Sequence, residues 1–341
     1  MKKIKYIISA LVILFISGCS AQESKFSESF LAFDTYINVT VYSSKEADAN
    51  VYLEEAKALY ESYHKKFDAY NNYNGLNNIK TINDQAGKAP VVVDQDIFDL
   101  IKQAKELYEQ GNTKNNIALY PVTQLYTQKY NEYEAGKKNI NNPTSKQLKS
   151  ANKCVSVDNI QLDNVKKTVF LKEKCNKIDV GSTAKGYVTA LVAKKLQDDG
   201  LKSGLINAGG NVVAINSKPD KSNYVIGIAN PDSPSEYNVT LSIANKNVVT
   251  SGDYQRYYMV DGKRMHHLID PDTLKPGNLH RSVTVVSDNG LLADYFSTDA
   301  FLLPTTEIEK LSKKYNFEYI IIDKDEKVTV SDGIKDAVEI K

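Results

Sequence analysis

The chain has 341 residues, 42% of them apolar and 25% charged, which is long enough for a sizeable core and unlike a disordered or fibrous composition. Its 43 lysines and arginines nearly cancel 42 aspartates and glutamates; a net charge of +1 exerts no long-range pull on nucleic acid, and no such partner is expected. Tryptophan is absent, but 22 tyrosines supply amphipathic rings for packing and stacking.

In chain order, the first feature is a basic stretch (Lys2, Lys3, Lys5) followed by an apolar run over 7–16, too short to span a bilayer comfortably. It ends in ISGC at Cys19, which resembles the lipobox where bacterial lipoproteins are cleaved and lipidated. An ordinary signal peptide containing a cysteine is the alternative. The expectation is a signal peptide over 1–18, a lipidated Cys19 opening a polar tether over 19–29, and one domain over 30–341. That domain would be anchored to the cell membrane on its extracytoplasmic face.

Within it, 33–42 alternates like a strand and 46–67 reads as an amphipathic helix. A helix capped by Asp94 carries Ile97, Leu100, Ile101, Ala104 and Tyr108 on one face. Cys154 and Cys175 flank two strand-like runs joined by the turn NVKK at 164–167, so a hairpin sets them nearly opposite. An exported compartment permits a disulfide there, with the strand register left open. A helix follows DVGST, with Val188, Leu191, Val192 and Leu196 inward, until Gly200 stops it. Strands then dominate 204–286. A helix over 291–303, a second capped by Thr306 with Glu309 three residues on, and strands at 317–323 and 327–330 close the chain. Helices mixed with mostly sequential strands predict a single α+β domain of mixed, mostly antiparallel sheet with packed helices.

Several segments suit chemistry. His266, His267 and His280, three of the four histidines, lie within fifteen residues, and Asp270 follows the second by three. The stretch RMHHLIDPDTLKPG reads as a metal site, a base with its supporting loop, or a turn that happens to contain histidine. In LLADYFSTDAFLL, Asp294 and Thr298 are four apart, so a helix puts a carboxylate and a hydroxyl, both hard donors suited to magnesium, on one face. The blander alternative is a carboxylate favoured near a helix start and a threonine bonded to its own backbone. In KIDVGSTAKGYVTA, Gly181 and Ser182 leave room for a ligand near helix N–H groups, Asp179 suits a base or sugar, and Lys185 suits a phosphate. The spacing is not that of a P-loop, and a tight strand-to-helix turn explains it equally well. Gly209 and Gly210 at one strand end, with Ser251 and Gly252 at another, permit close backbone approach or mark plain turns.

In order, FDTYINVTVY, NIALYPV, IDVGSTAKGY, INAGGNV, TSGDYQRYY, GKRMHHLIDPDTLKPG and VTVVSDNGLLADYFSTDAFLL resemble the FAD:protein FMN transferase (ApbE) family over about 30–341. The resemblance implies an ApbE-like, T-fold-related domain that takes FAD as substrate, uses Mg2+, and transfers FMN through a phosphoester to a threonine or serine of another protein. It implies that Asp294, Thr298 and the main-chain carbonyl of Ser182 bind the metal and that His267 is catalytic. It further implies nucleotide contacts at Asp179 and Lys185, Phe33 and Tyr70 near the flavin, and Asn116, Ile117 and Ala118 against FAD. Gly209, Gly210, Ser251, Gly252 and Asp270 complete the expected cofactor-binding set.

Magnesium prefers oxygen to imidazole, so His267 reads as a base near the diphosphate, with a pKa close to neutrality. A substrate-orienting or structural role is its rival, and His266 is expected to point the other way in an extended stretch. Two departures stand out: the family's D-P-x-T-G pattern is DPDTLKPG here, and Asn116 stands where many members carry aspartate. No D-x-x-T/S-G-A-T/S acceptor sequence occurs in this chain, so the expected partner is another exported protein that carries one. An FAD pyrophosphatase with water as acceptor, and a flavin-binding lipoprotein without chemistry, are the rival readings.

Overall fold

Residues 23–341 are described by the computed structural model, so the signal-like segment and Cys19 lie outside the described residues. The first strand, β1 (Ser24–Ala32), begins inside the stretch expected to be a tether. Its polar composition hides a two-residue period: Phe26, Glu28, Phe30 and Ala32 turn inward while the residues between them are exposed. β1 pairs antiparallel with β2 (Thr35–Ser43), Ala32 opposite Thr35. The strand expected from 33 therefore starts later, because Phe33 and Asp34 form a two-residue hairpin turn with φ of 53° and 54°. The Phe33 N–H donates to Nδ1 of His64 (3.1 Å), which ties this turn to α1 (Glu46–Phe67).

Next come α2 (Ile79–Asp84), β3 (Val91–Val92), α3 (Gln95–Glu109), α4 (Tyr120–Glu134) and α5 (Ser145–Asn152). β4 (Ile160–Asp163) and β5 (Thr168–Leu171) form the expected hairpin, with β3 on its far side. Cys154 and Cys175 are disulfide-bonded beyond its open end, their Cα atoms 5.4 Å apart. After α6 (Ala184–Asp198) the strands follow closely: β6 (Gly204–Ala208), β7 (Asn211–Ile215), β8 (Tyr224–Ala229), β9 (Tyr237–Ile243) and β10 (Asn247–Gly252). Two small hairpins, β11 (Tyr257–Val260) with β12 (Lys263–His266) and β13 (Ile269–Asp270) with β14 (Lys275–Pro276), precede β15 (His280–Ser287). The chain ends with α7 (Gly290–Phe301), α8 (Thr305–Tyr315), β16 (Glu318–Asp323), β17 (Val328–Val330) and β18 (Val338–Ile340).

Thr306 does not cap α8. The cap position falls on Pro304, whose fixed φ and extended backbone lead the chain into the helix without a side-chain bond.

The architecture is α+β in three layers. Eight strands form one antiparallel sheet in the order β1-β2-β6-β7-β10-β15-β16-β17. Because successive side chains alternate faces, Val249, Val283 and Val285 join a core beneath α1, α6 and α7. Val248 and Val286 point the other way, into a second core closed by the sheet β18-β9-β8. A third cluster, with Val122, Tyr126 and Tyr258, packs α4 against the β11–β12 hairpin.

α7 is buried nearly all round, with Tyr295, Phe296 and Phe301 fully enclosed. Burying such side chains contributes roughly 1.5–3 kcal/mol each. The same enclosure obliges Asp294, Ser297 and Asp299 on that helix to find partners.

Candidate functional site

The registers gather several turns at one end of the large sheet. Ile37 pairs with Ala208 and Val249 with Asn211, so the Phe33–Asp34 turn, the Gly209–Gly210 turn and the end of β10 lie side by side. Both glycines have positive φ (58° and 92°), as a two-residue hairpin turn demands. A Cβ on Gly209 would collide with the Thr35 side chain, so the close approach this glycine permits is between hairpins. The N-terminal end of α6, one side of α7 and the β12–β13 loop close over this end. The result is a cleft of about 560 Å³.

Asp294, Thr298, Ser182, Asp179, Lys185, Asn116, Ile117, Gly209, Ser251 and His267 all line this cleft. Tyr70 lines an adjoining cavity of about 410 Å³, which shares Asp34, Tyr130, Arg256 and His267 with the first. Its hydroxyl reaches back to donate to Asp179 Oδ2 (3.3 Å).

Five expected contacts fall outside the lining. Phe33 packs edge-on against Tyr60 and His64, because its turn directs the ring inward; Asp34 and Thr35 face the cleft instead. Ala118 is buried, with its N–H bonded to the Asn116 side chain (2.8 Å). Gly210 has its N–H bonded to Asn207 Oδ1 (3.0 Å) within the turn. Gly252 lies against the Tyr254 ring. Asp270 is ion-paired with Lys114 Nζ (2.7 Å) and accepts from Asp272 N–H (3.1 Å), so it braces the loop after His267.

The oxygen donors come from three elements. Asp294 is buried on α7 and its Oδ2 accepts the N–H of Gly186 (2.8 Å), across a helix crossing where Gly186 and Gly290 meet without side chains. Burial pushes its carboxyl up to about 6, against the opposing pull of the Lys185 charge and that N–H. Thr298 Oγ1 lies 3.4 Å from Ser251 Oγ, which also bonds Ser297 Oγ (2.9 Å). Asn211 lines the same cleft, and its buried Oδ1 has no hydrogen-bond partner.

Among the described residues no group of three or more histidines, cysteines or acids could hold a metal. The set here is one carboxylate with hydroxyl, carbonyl and amide oxygens. It suits a hard cation that completes its shell with water and substrate oxygens, and the orphaned Asn211 oxygen fits such a ligand. Lys185 Nζ, at the start of α6, donates to the Gly181 carbonyl (3.0 Å) and faces the same space. Asp179 is held up by burial, against bonds from Gly181 N–H and Tyr70.

The four histidines separate by role. His267 has exposed surface opening on the cleft, and its backbone N–H donates to Arg256 O (3.1 Å). Crowding by protein, then the neighbouring His266, Arg256 and Lys185, push its imidazole down to about 3, below the near-neutral value expected from sequence. The ring is therefore neutral at pH 7. His266 is buried on the opposite side, donating from Nε2 to Gly277 O (2.8 Å) and accepting Leu268 N–H at Nδ1 (3.3 Å). His280 donates to Leu303 O (2.8 Å), and His64 holds the Phe33 turn.

Sequence reasoning missed Lys114, Asn115, Arg256 and Asp299. Asn115 and Lys114 line the cleft, as does Arg256, which has no ion-pair partner among the described residues. Asp299 is buried behind the cleft, pushed up to about 6 by that burial, and accepts two backbone N–H groups. Arg256, inside TSGDYQRYY, and Asp299, inside LLADYFSTDAFLL, stood in segments already marked; Lys114 and Asn115 lie just before NIALYPV.

The ApbE family profile matches residues 33–321. An FAD:protein FMN transferase of Treponema pallidum (strain Nichols) is 27% identical over 340 residues, covering 95% of this chain and 91% of that protein. Another, from Klebsiella pneumoniae (strain 342), is 29% identical over 256 residues, covering 74% and 77%. The ApbE protein of Thermotoga maritima superposes with a TM-score of 0.81 at 24% identity, over 92% of this chain and 99% of that one. The flavin transferase ApbE of Vibrio cholerae gives 0.77 at 20%, with the same coverage. At such identities the two structures establish a common fold.

Proposed function

This chain belongs to the ApbE family, and from that premise we propose that it is an FAD:protein FMN transferase. The acceptor is a threonine or serine hydroxyl of an exported protein carrying a D-x-x-T/S-G-A-T/S motif. Its oxygen bonds to the FMN phosphorus of FAD, the bond from that phosphorus to the bridging oxygen breaks, and AMP leaves. One observation carries this reading: His267 and the oxygens of Asp294, Thr298 and Ser182 line a single cleft.

His267, neutral at pH 7, accepts the hydroxyl proton as the new bond forms. Alone in the cleft it is a weak base. The anionic diphosphate of FAD favours the protonated ring and so raises its proton affinity toward the useful range. Lys185 and Arg256 face the cleft with positive charge that attracts the diphosphate and holds it for in-line displacement. Asp294, Thr298 and the Ser182 carbonyl would hold Mg2+, which when bound supplies neutralisation of charge on the leaving AMP. Tyr70 and Tyr120, with ring centroids 6.1 Å apart, offer aromatic surface beside Asp179 for the flavin nucleotide.

The enzyme and its acceptor would meet outside the cytoplasmic membrane, with Cys19 lipidated as anchor. The ISGC sequence supports this, as does the Cys154–Cys175 bridge, a bond that persists in oxidising compartments. A Cys19→Ala variant should leave the membrane fraction; its retention there would count against the anchor.

The reaction is tested by incubating the protein with FAD, magnesium and a purified acceptor carrying D-x-x-T-G-A-T, then running a denaturing gel. Metal-dependent flavin fluorescence on the acceptor with AMP released is the expected result. FMN and AMP in solution without a labelled acceptor would favour the pyrophosphatase, and tight FAD binding without turnover would favour a flavin carrier.

A further inference from the structure

The segment 112–116 is fastened to α7 at several points. Tyr295 Oη donates to the carbonyls of Asn112 (2.6 Å) and Asn115 (2.9 Å). Asp299 Oδ1 accepts the N–H groups of Lys114 (2.9 Å) and Asn115 (3.0 Å). The buried side chain of Asn115 then reaches across to the loop before α6. Its Nδ2 donates to Tyr295 O (3.0 Å) and more weakly to Ser182 O (3.4 Å), and its Oδ1 accepts from Ser182 Oγ (2.7 Å). One planar amide therefore grips Ser182 by both its hydroxyl and its carbonyl.

This matters because the three cation donors are not equally well held. Asp294 and Thr298 ride on a helix buried nearly all round, whereas Ser182 lies in a turn with no ladder to orient its carbonyl. The Thr183 N–H, in the same peptide plane, is bonded to Val180 O (2.9 Å), and Asn115 is the side chain that reaches the carbonyl oxygen itself. A carbonyl has two lone pairs, so a long bond to Asn115 leaves one free for a cation.

We propose that Asn115, locked in place by Tyr295 and Asp299, is a positioning residue that aims the Ser182 carbonyl at the space shared with Asp294 and Thr298. The inference rests on the cation reading given above. Asn115 acts through Ser182 and touches no reacting atom. Residues that orient metal ligands in this way typically change affinity by about 10–100-fold when removed.

The test is a Mn2+ titration of the whole protein followed by electron paramagnetic resonance, with FAD binding measured separately in EDTA by fluorescence. Asn115→Leu should weaken Mn2+ by about tenfold or more while FAD affinity in EDTA stays within about twofold. Ser182→Ala removes only the hydroxyl half of the grip and should weaken Mn2+ in the same direction, by less. If Asn115→Leu does not fold, Ser182→Ala decides alone, and an unchanged Mn2+ affinity overturns the proposal. A folded Asn115→Leu of lower thermal stability but unchanged Mn2+ affinity would reveal a merely structural residue and overturn it too. A wild-type protein that binds no Mn2+ would instead bring down the cation reading, and this inference with it.

Discussion

The Asp294 carboxylate is presented by a helix crossing that leaves no room for a methyl group, and Gly186→Ala tests that directly. A Cβ at 186 would run into the Gly290 carbonyl oxygen and lie 2.5 Å from Asp294 Cβ. Ordinary carbon contacts begin near 3.5 Å, so α7 must move away from α6 by roughly 1 Å. Alanine's better helix propensity favours the variant by about 1 kcal/mol, and overpacking opposes it by about 1–3 kcal/mol. The opposing effect wins here because the obstacles are a backbone oxygen and a Cβ, neither of which can swing aside.

The expected net loss is up to about 2 kcal/mol, or a fall of up to roughly 4 °C in the unfolding midpoint. The functional loss should be larger, since a displacement of about 1 Å at a reacting site can cost on the order of 100-fold in rate. Differential scanning fluorimetry and FAD turnover at saturating magnesium measure the two effects. A Gly186→Ala protein as stable and as active as wild type would refute the argument that this crossing sets the position of Asp294.

Other outcomes follow from the same geometry. His267→Ala should bind FAD within a few-fold of wild type but turn over about 100–10,000-fold more slowly, as single-turnover assays would show; unchanged turnover would remove His267 from the chemistry. With the Asp294 carboxyl held up to about 6, its charged form predominates above that pH and a proton competes with the cation below it. Mn2+ affinity should therefore be flat above pH 7 and fall by about tenfold per unit well below pH 6, measured by titration calorimetry. An Asp294→Asn protein should lose that dependence. Joining Cys154 to Cys175, 21 residues apart, should stabilise the fold by about 3 kcal/mol. Oxidised and reduced protein that unfold at one temperature would show that it does not.

What could be seen in the sequence was local, and what could not was remote. Asp294 and Thr298 share a face because they are four apart on a helix, and His266 and His267 diverge because adjacent residues in an extended stretch face opposite ways. The cysteine hairpin was visible for the same reason. β1 escaped notice because its inward residues include Glu28 among serines, so its alternation carries little hydrophobic contrast. The Phe33–Asp34 turn escaped because neither residue is glycine, and His64, thirty-one residues away, is part of what holds it. Asp299 and Asn115 lie 184 positions apart, and nothing local to either foretells their bond. β18 spans three residues, too few for a period to register. Asp270 and Phe33 sit away from the cleft lining for a related reason, since Lys114 and the ring of Tyr60 engage them through the fold.

The most direct measurement is a crystal structure of the protein with FAD and Mn2+, located by its anomalous signal. Mn2+ should lie among Asp294, Thr298 and the Ser182 carbonyl, with the diphosphate in the same cleft and the FMN phosphorus within reach of His267. Mn2+ bound elsewhere, or FAD seated with its diphosphate outside the cleft, would contradict the proposed reading.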